Sequence, residues 1–366
     1  MIKNKLEIKP FTEWADTKGA PLVIAGPCSA ETKDQVLSTA HEIAKIPQVQ
    51  IFRAGIWKPR TRPNGFEGVG TKGLQWLQEV KKTTRLKTCT EVAKPHHIEE
   101  ALKHDIDMLW IGARTVVNPF SVQELSEALK GVDIPILIKN PITPDIQLWI
   151  GAIERINKAG INKIAVIHRG FHSFEKSPYR NTPMWEIPLE LKHNYPEIPI
   201  ICDPSHISGC KELIKPVSQE ALDLNMKGLM IETHNNPNKA FTDAKQQITP
   251  TQLQKLLNSL KIRSAISHNK EYKNKLEELR KDIDKLDIEM LCSISKRINL
   301  VKEIGKYKNE NNTTIFQLER WREITHDRIR YGTSQGLEED FILDLLKLLH
   351  KESIKIQTNI LNKKGK

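Results

Sequence analysis

The 366-residue chain is short of several things. No apolar run approaches the roughly 18 residues a bilayer-spanning helix needs. Residues 1–14 mix Lys, Glu and Pro with single apolar residues, unlike the core of a signal peptide, so the expected address is the cytoplasm and no membrane partner is expected. The five cysteines are odd in number and none stands in CxxC spacing, which argues against a disulfide framework and leaves any special cysteine as a ligand or nucleophile. Aromatic residues make up only 6%, and the Lys and Arg behind the net charge of +11 are spread along the chain rather than gathered into a stripe. That pattern speaks against a nucleic-acid partner and for small anionic substrates.

What is present is a repeated grammar. Eight short runs of β-branched and apolar residues (21–25, 49–54, 86–92, 108–112, 135–140, 163–169, 199–203 and 228–232) each end in polar residues or Gly, and a helical stretch follows each. Near-continuous apolar strands alternating with helices predict a parallel sheet covered on both faces. Eight units in this length fit a closed (β/α)8 TIM barrel better than an open doubly wound sheet. The chemistry-bearing residues Arg53, Glu91, Arg114, Lys139, Arg169, Asp203, His206 and Glu232 all fall at the C-terminal ends of the runs, the edge where barrels build their sites. One such residue alone is more often a surface ion pair; recurrence along one edge overturns that reading.

After residue 250 the period changes. Leu276, Leu279, Ile283, Leu286, Met290, Ile294, Ile298, Val301 and Ile304 recur at spacings of three and four, the apolar stripe of one long helix. Two more helices are expected at 317–331 and 337–362, separated by a turn at 332–336. The implied domains are a barrel at 1–258, a linker at 259–272 and an all-α three-helix domain at 273–366. Three helices with one long member bury little alone, so a homodimer through this domain is expected. A dimerising coiled coil without a ligand is the plainer alternative.

Cys28, His206, Glu232 and Asp243, from four different loops, could hold one divalent metal ion. A thiolate, an imidazole and two carboxylates suit Mn2+, Fe2+, Co2+ or Zn2+ better than Ca2+, and such an ion acts as a Lewis acid on a carbonyl oxygen. Arg53, Lys58, Arg60, Thr61 and Arg62 crowd into ten residues stiffened by Pro59 and Pro63, a loop suited to phosphate or carboxylate. Lys58, crowded by Arg53 and Arg60, is expected to have a depressed pKa and to shuttle a proton. Lys139 is open to an alternative role as a Schiff-base lysine.

GPCS, RxxxxKPRT, the Glu of TEV, IGART, IKNP, HRG, DPSH, the Glu of IETH and the Asp of FTDA, in this order across residues 20–250, resemble 3-deoxy-D-arabino-heptulosonate 7-phosphate (DAHP) synthase of the short, type I beta form. The resemblance implies condensation of phosphoenolpyruvate with erythrose 4-phosphate, with manganese favoured as the metal. It places Cys28, His206, Glu232 and Asp243 on that metal, and Arg53, Lys58, Glu91, Arg114, Lys139 and Arg169 around phosphoenolpyruvate. Arg60 and Thr61 fall on the sugar phosphate. Arg62 stands where a small Ser is expected, and Asn64-Gly65 replace bulkier residues. The rival is 3-deoxy-manno-octulosonate 8-phosphate synthase, whose Asn-containing loop differs from the KPRT seen here.

In the tail, Arg297 and Lys308 are eleven residues apart, within roughly 20° of one direction on a helix, and Ser353 and Gln357 share a face at i, i+4. The order LxxLRxxIDxLD, SKRxxLVxEIGxYK, LxRW and HKESIxxQ resembles the all-helical chorismate mutase over residues 271–362. That resemblance puts Arg297 on a substrate carboxylate, Arg280 on another from the partner subunit, Lys308 and Gln357 on the ether oxygen, and Ser353 in support. Arg320 is kept, whereas Gln317 and Trp321 replace the acidic residues that meet the substrate hydroxyl. A bifunctional enzyme inhibited by prephenate or chorismate through its helical domain is the resulting expectation. The alternative is a helical domain that only regulates or dimerises.

Overall fold

The computed structural model describes residues 6–15, 17, 19–58, 65–264 and 266–362. The chain divides into two compact units, Met1–Ala265 and Ile266–Lys366.

In the first unit the eight strands are β1 (Leu22–Gly26), β2 (Ile51–Arg53), β3 (Lys87–Val92), β4 (Met108–Ile111), β5 (Ile136–Lys139), β6 (Ile164–His168), β7 (Ile200–Cys202) and β8 (Gly228–Glu232). They close in sequence order, each parallel to the next, and β8 returns to β1 with Gly26 opposite Glu232. Alternation explains the unbroken apolar runs. Ile24, Trp110, Leu137, Ile167 and Met230 point into the barrel, while Val23, Ala25, Leu109, Ile138 and Ile231 pack outward under the helices. Both faces of the strands are therefore buried, apart from Lys87 and the half-buried Glu91 on β3. At the N-terminal end the short helix Phe11–Trp14 sets Trp14 against Leu22, Ile51 and Met108, closing that mouth with apolar surface.

Two glycines let the strand ends converge at the opposite edge. Gly26 sits at φ +148°, and a Cβ there would lie 2.1 Å from the Arg53 carbonyl oxygen. A Cβ on Gly112 would lie 2.0 Å from Glu91 Oε1, so this glycine makes the space into which Glu91 turns.

The second unit is three helices, Lys270–Glu310, Leu318–Ser334 and Glu339–Leu361. The long helix has 41 residues, about 60 Å at 1.5 Å per residue. Its C-terminal half packs on the last helix: Val301 is buried, and a Cβ on Gly305 would press on Gln357 Cγ and Ile360 Cδ1. The expected turn at 332–336 is displaced. Gly332 to Ser334 belong to the middle helix, and the chain turns at Gln335 and Gly336, the latter at φ +84°. Gly332 is there for packing, since a Cβ would come within 2.5 Å of Ile342 Cδ1 on the crossing helix. Gly332→Ala is accordingly expected to destabilise this unit by about 1–3 kcal/mol despite better helix propensity. Urea titration followed at 222 nm checks the sign.

Candidate active sites

At the C-terminal edge of the barrel, Cys28 follows β1, Glu232 ends β8, and Asp243 lies in the loop beyond it. Their ligand atoms all lie within 4.8 Å of one another. His206 enters from the helix Pro204–Ser208 after β7, its Nε2 3.7 Å from Glu232 Oε1. Its Nδ1 lies 2.8 Å from Asp203 Oδ2, which fixes the ring with Nε2 facing the cluster. Burial lowers the His206 pKa, leaving the neutral imidazole a cation requires. Burial, with Glu232 adding to it, pushes the Cys28 thiol up to about 12. A thiol and two carboxylates so confined fit a divalent cation, whose charge would reverse that penalty.

Arg53 is buried at the end of β2 beneath this cluster. One terminal nitrogen donates to Glu232 Oε1 at 3.2 Å, while Nε and Nη1 have no partner among the described residues. Buried guanidinium donors without acceptors mark a place for an anion. Arg53 lies 4.9 Å and Lys139 Nζ 5.9 Å from the Trp110 ring centroid, so this indole lies beside both cations. Lys139 donates to Asp203 Oδ2 at 2.9 Å. Despite burial, His206 and Lys139 hold the Asp203 carboxyl well below the usual range. Lys139 is thus paired with a buried carboxylate at the end of β5.

Arg169 donates to Asn181 Oδ1, and its backbone N–H donates to Asn140 Oδ1. Burial, with Arg180 and Arg114 nearby, lowers it to about 10, still charged at neutral pH. Arg114 stands exposed on the helix Ala113–Val116.

Lys58 departs from the sequence expectation. Its Nζ donates to the Cys28 carbonyl at 3.0 Å and lies 3.3 Å from Cys28 Sγ. Burial and Arg53 act to lower its pKa, but Cys28, Glu91 and Glu232 outweigh them and raise it. The crowding argument counted the cations next in sequence and not the acids that other strands bring. Arg60 and Thr61 lie outside the described residues.

Arg180 and Gln246 were missed. Arg180 bonds Asp243 Oδ1 at 3.0 Å and Gln246 Oε1 at 2.7 Å, and Gln246 donates to Glu232 Oε2 at 2.7 Å, bracing both carboxylates. Both sit inside loops, away from strand ends, so the periodic pattern carried no signal for them.

In the helical unit, Arg297 Nη1 donates to Ser353 Oγ at 2.9 Å, and Gln357 lies one turn beyond, buried, with Oε1 unpartnered among the described residues. Lys308 Nζ donates to the Ile315 carbonyl at 2.6 Å, and burial lowers its pKa. Arg320 is not brought to this group: it is exposed and pairs with Glu323. Arg280 is exposed 17 residues before Arg297 on the same helix, about 25 Å away along its axis.

Residues 6–267 match the model of the DAHP synthetase I family, and residues 279–358 that of chorismate mutase type II. Phospho-2-dehydro-3-deoxyheptonate aldolase of Thermotoga maritima is 31% identical over 65% of this chain and 68% of its own. A 2-dehydro-3-deoxyphosphooctonate aldolase of Desulfotalea psychrophila is 26% identical over 68% and 92%. The crystal structure of the Thermotoga maritima DAHP synthase superposes with a TM-score of 0.58 at 30% identity, over 65% of this chain and 67% of that one. The chain belongs to the DAHP synthetase I family and carries a chorismate mutase type II domain fused after its barrel.

Proposed function

We propose that the barrel condenses phosphoenolpyruvate with erythrose 4-phosphate to give DAHP and phosphate, and that the helical unit rearranges chorismate to prephenate. The observation that carries the first reading is Arg53, buried with two donors free beside a thiol and two carboxylates, with His206 Nε2 3.7 Å from one of them. Arg53, Lys139 and Arg169 hold the phosphate and carboxylate of phosphoenolpyruvate, with Arg114 at the rim and Glu91 beside Lys58. Arg60 and Thr61 take the sugar phosphate. Cys28, His206, Glu232 and Asp243 would hold one divalent ion, Mn2+ being favoured over Fe2+, Co2+ or Zn2+, which supplies Lewis-acid polarisation of the aldehyde oxygen. C3 of phosphoenolpyruvate then attacks the aldehyde carbon while Lys58, entering as an ammonium, gives its proton to the oxygen that was the carbonyl. Water adds at C2 and returns a proton to the now neutral Lys58 amine, and phosphate leaves with the C–O bond electrons, taking the proton that the new C2 hydroxyl gives up as it becomes the ketone.

In the tail, the alignment of Arg297, Lys308, Ser353 and Gln357 supports catalysis. The rearrangement is intramolecular, so holding a compact conformer and stabilising charge on the ether oxygen suffice. Leu279, Ile283, Leu286 and Met290 remain 49%, 55%, 62% and 51% exposed, a stripe that a second copy of the chain would cover. Such a homodimer would let Arg280 complete its partner's site. Five free cysteines fit a reducing cytoplasm, and among the described residues no helix is long and apolar enough to cross a membrane.

With phosphoenolpyruvate fixed, erythrose 4-phosphate should be consumed at least 100-fold faster than arabinose 5-phosphate; the reverse preference would replace this reading with the octulosonate reaction. Prephenate or chorismate binding to the helical unit is proposed to inhibit the condensation. Prephenate should slow the intact chain and leave a chain ending at residue 265 unaffected, and equal inhibition of both would refute that regulation.

A further inference from the structure

One side chain in the helical unit has no place in the reaction described so far. His350 lies one turn before Ser353 and two before Gln357 on the last helix, so the three point within about 60° of one another. Its ring stacks on Trp321 of the middle helix, with centroids 4.2 Å apart and planes 29° apart, and Phe316 meets it edge-on at 5.9 Å. Its Nε2 is shut off from solvent and has no hydrogen-bond partner among the described residues. A histidine kept only for packing would ordinarily find an acceptor or donor for that nitrogen.

We propose that His350 is a further substrate-binding residue of the mutase site, its Nε2 hydrogen-bonded to the ring hydroxyl of chorismate. This rests on the mutase reading above. Chorismate carries two carboxylates, an ether oxygen and one hydroxyl, and the cations Arg297, Lys308 and Arg280 of the partner subunit suit the first three. Burial and the charges of Arg297 and Lys308 lower the His350 pKa, so the imidazole stays neutral beside them. A neutral ring nitrogen makes a poor carboxylate ligand and a good partner for a hydroxyl, to which it donates or from which it accepts. The middle helix offers no carboxylate for the task at Gln317 or Trp321. Trp321 instead clamps the imidazole in one orientation.

The test compares full-length wild type, His350→Leu and His350→Gln. His350→Leu should lower kcat/KM for chorismate about 10- to 100-fold, mostly through KM, as expected for one lost hydrogen bond in a buried site. His350→Gln should recover most of the loss, and the condensation in the same preparations should be unchanged. On an analogue with hydrogen in place of the hydroxyl, wild type and His350→Leu should be equal. Unaltered chorismate turnover by His350→Leu, or an equal loss on the analogue, overturns the proposal. Wild type that binds chorismate in calorimetry without converting it defeats the mutase reading alone, and the affinity ratio of the two proteins then decides the role of His350. Absence of binding by wild type defeats both.

Discussion

Lys308→Ala is expected to cut chorismate turnover about 1,000-fold while the condensation rate of the same protein stays within twofold of wild type. Lys308 Nζ is held at the Ile315 carbonyl, poised on the face that also carries Arg297. The ether oxygen gains negative charge as its bond to carbon lengthens, and a fixed ammonium there lowers the barrier more than it tightens ground-state binding. Loss of one such donor in a water-poor site costs about 2.7–4 kcal/mol in the transition state. The drop should therefore appear in kcat, with KM changing little. Loss of chorismate absorbance and loss of phosphoenolpyruvate absorbance, followed separately, read the two activities on one sample. Full retention of mutase turnover would remove Lys308 from the ether oxygen, whereas no turnover by wild type would leave the helical unit a regulatory or dimerising module.

Cys28→Ala is expected to weaken divalent-metal binding at least 100-fold and to remove more than 99.9% of condensation activity, with mutase activity intact. The substitution has a second, sharper signature. Without a metal the thiol is pushed up to about 12, so it is protonated throughout the working range and must release its proton when a metal binds. His206, with a lowered pKa, releases none at neutral pH. Between pH 7 and 8 the apparent metal affinity of wild type should thus rise about tenfold, one proton per ion. The same measurement on Cys28→Ala should be nearly flat. Calorimetric titration with Mn2+ in buffers of different ionisation enthalpy counts the released protons. A flat profile for wild type would remove the thiolate from the ligand set.

The barrel was legible because each strand is buried on both faces. Runs such as 136–138 and 164–167 are apolar without interruption and then break into Lys139 and into His168 and Arg169. The nearness of Cys28 and Glu232 was legible for the same reason, since residues at the ends of neighbouring strands converge. Sequence failed where a property depends on neighbours from other strands. Lys58 reads as crowded by arginines, yet Cys28, Glu91 and Glu232, brought by other strands, raise its pKa. Gly332 reads as a turn residue, but the crossing of Ile342 requires it within a helix. Arg180 and Gln246 occupy irregular loops with no period to betray them, and His350 is one histidine on a mostly apolar helix face.

The pairing of β1 with β8 places Cys28 and Glu232 next to each other although they lie at opposite ends of the barrel sequence. During synthesis the cysteine leaves the ribosome some two hundred residues before its partners, so a half-made chain offers metal one thiol and no pocket. If Cys28 and Glu232 hold a metal, its capture would wait until the ring has closed. Such an ion would tie the first strand to the last and stabilise the closed form by mass action. Chelation should accordingly accelerate hydrogen exchange first in β1 and β8, and only later in the strands opposite.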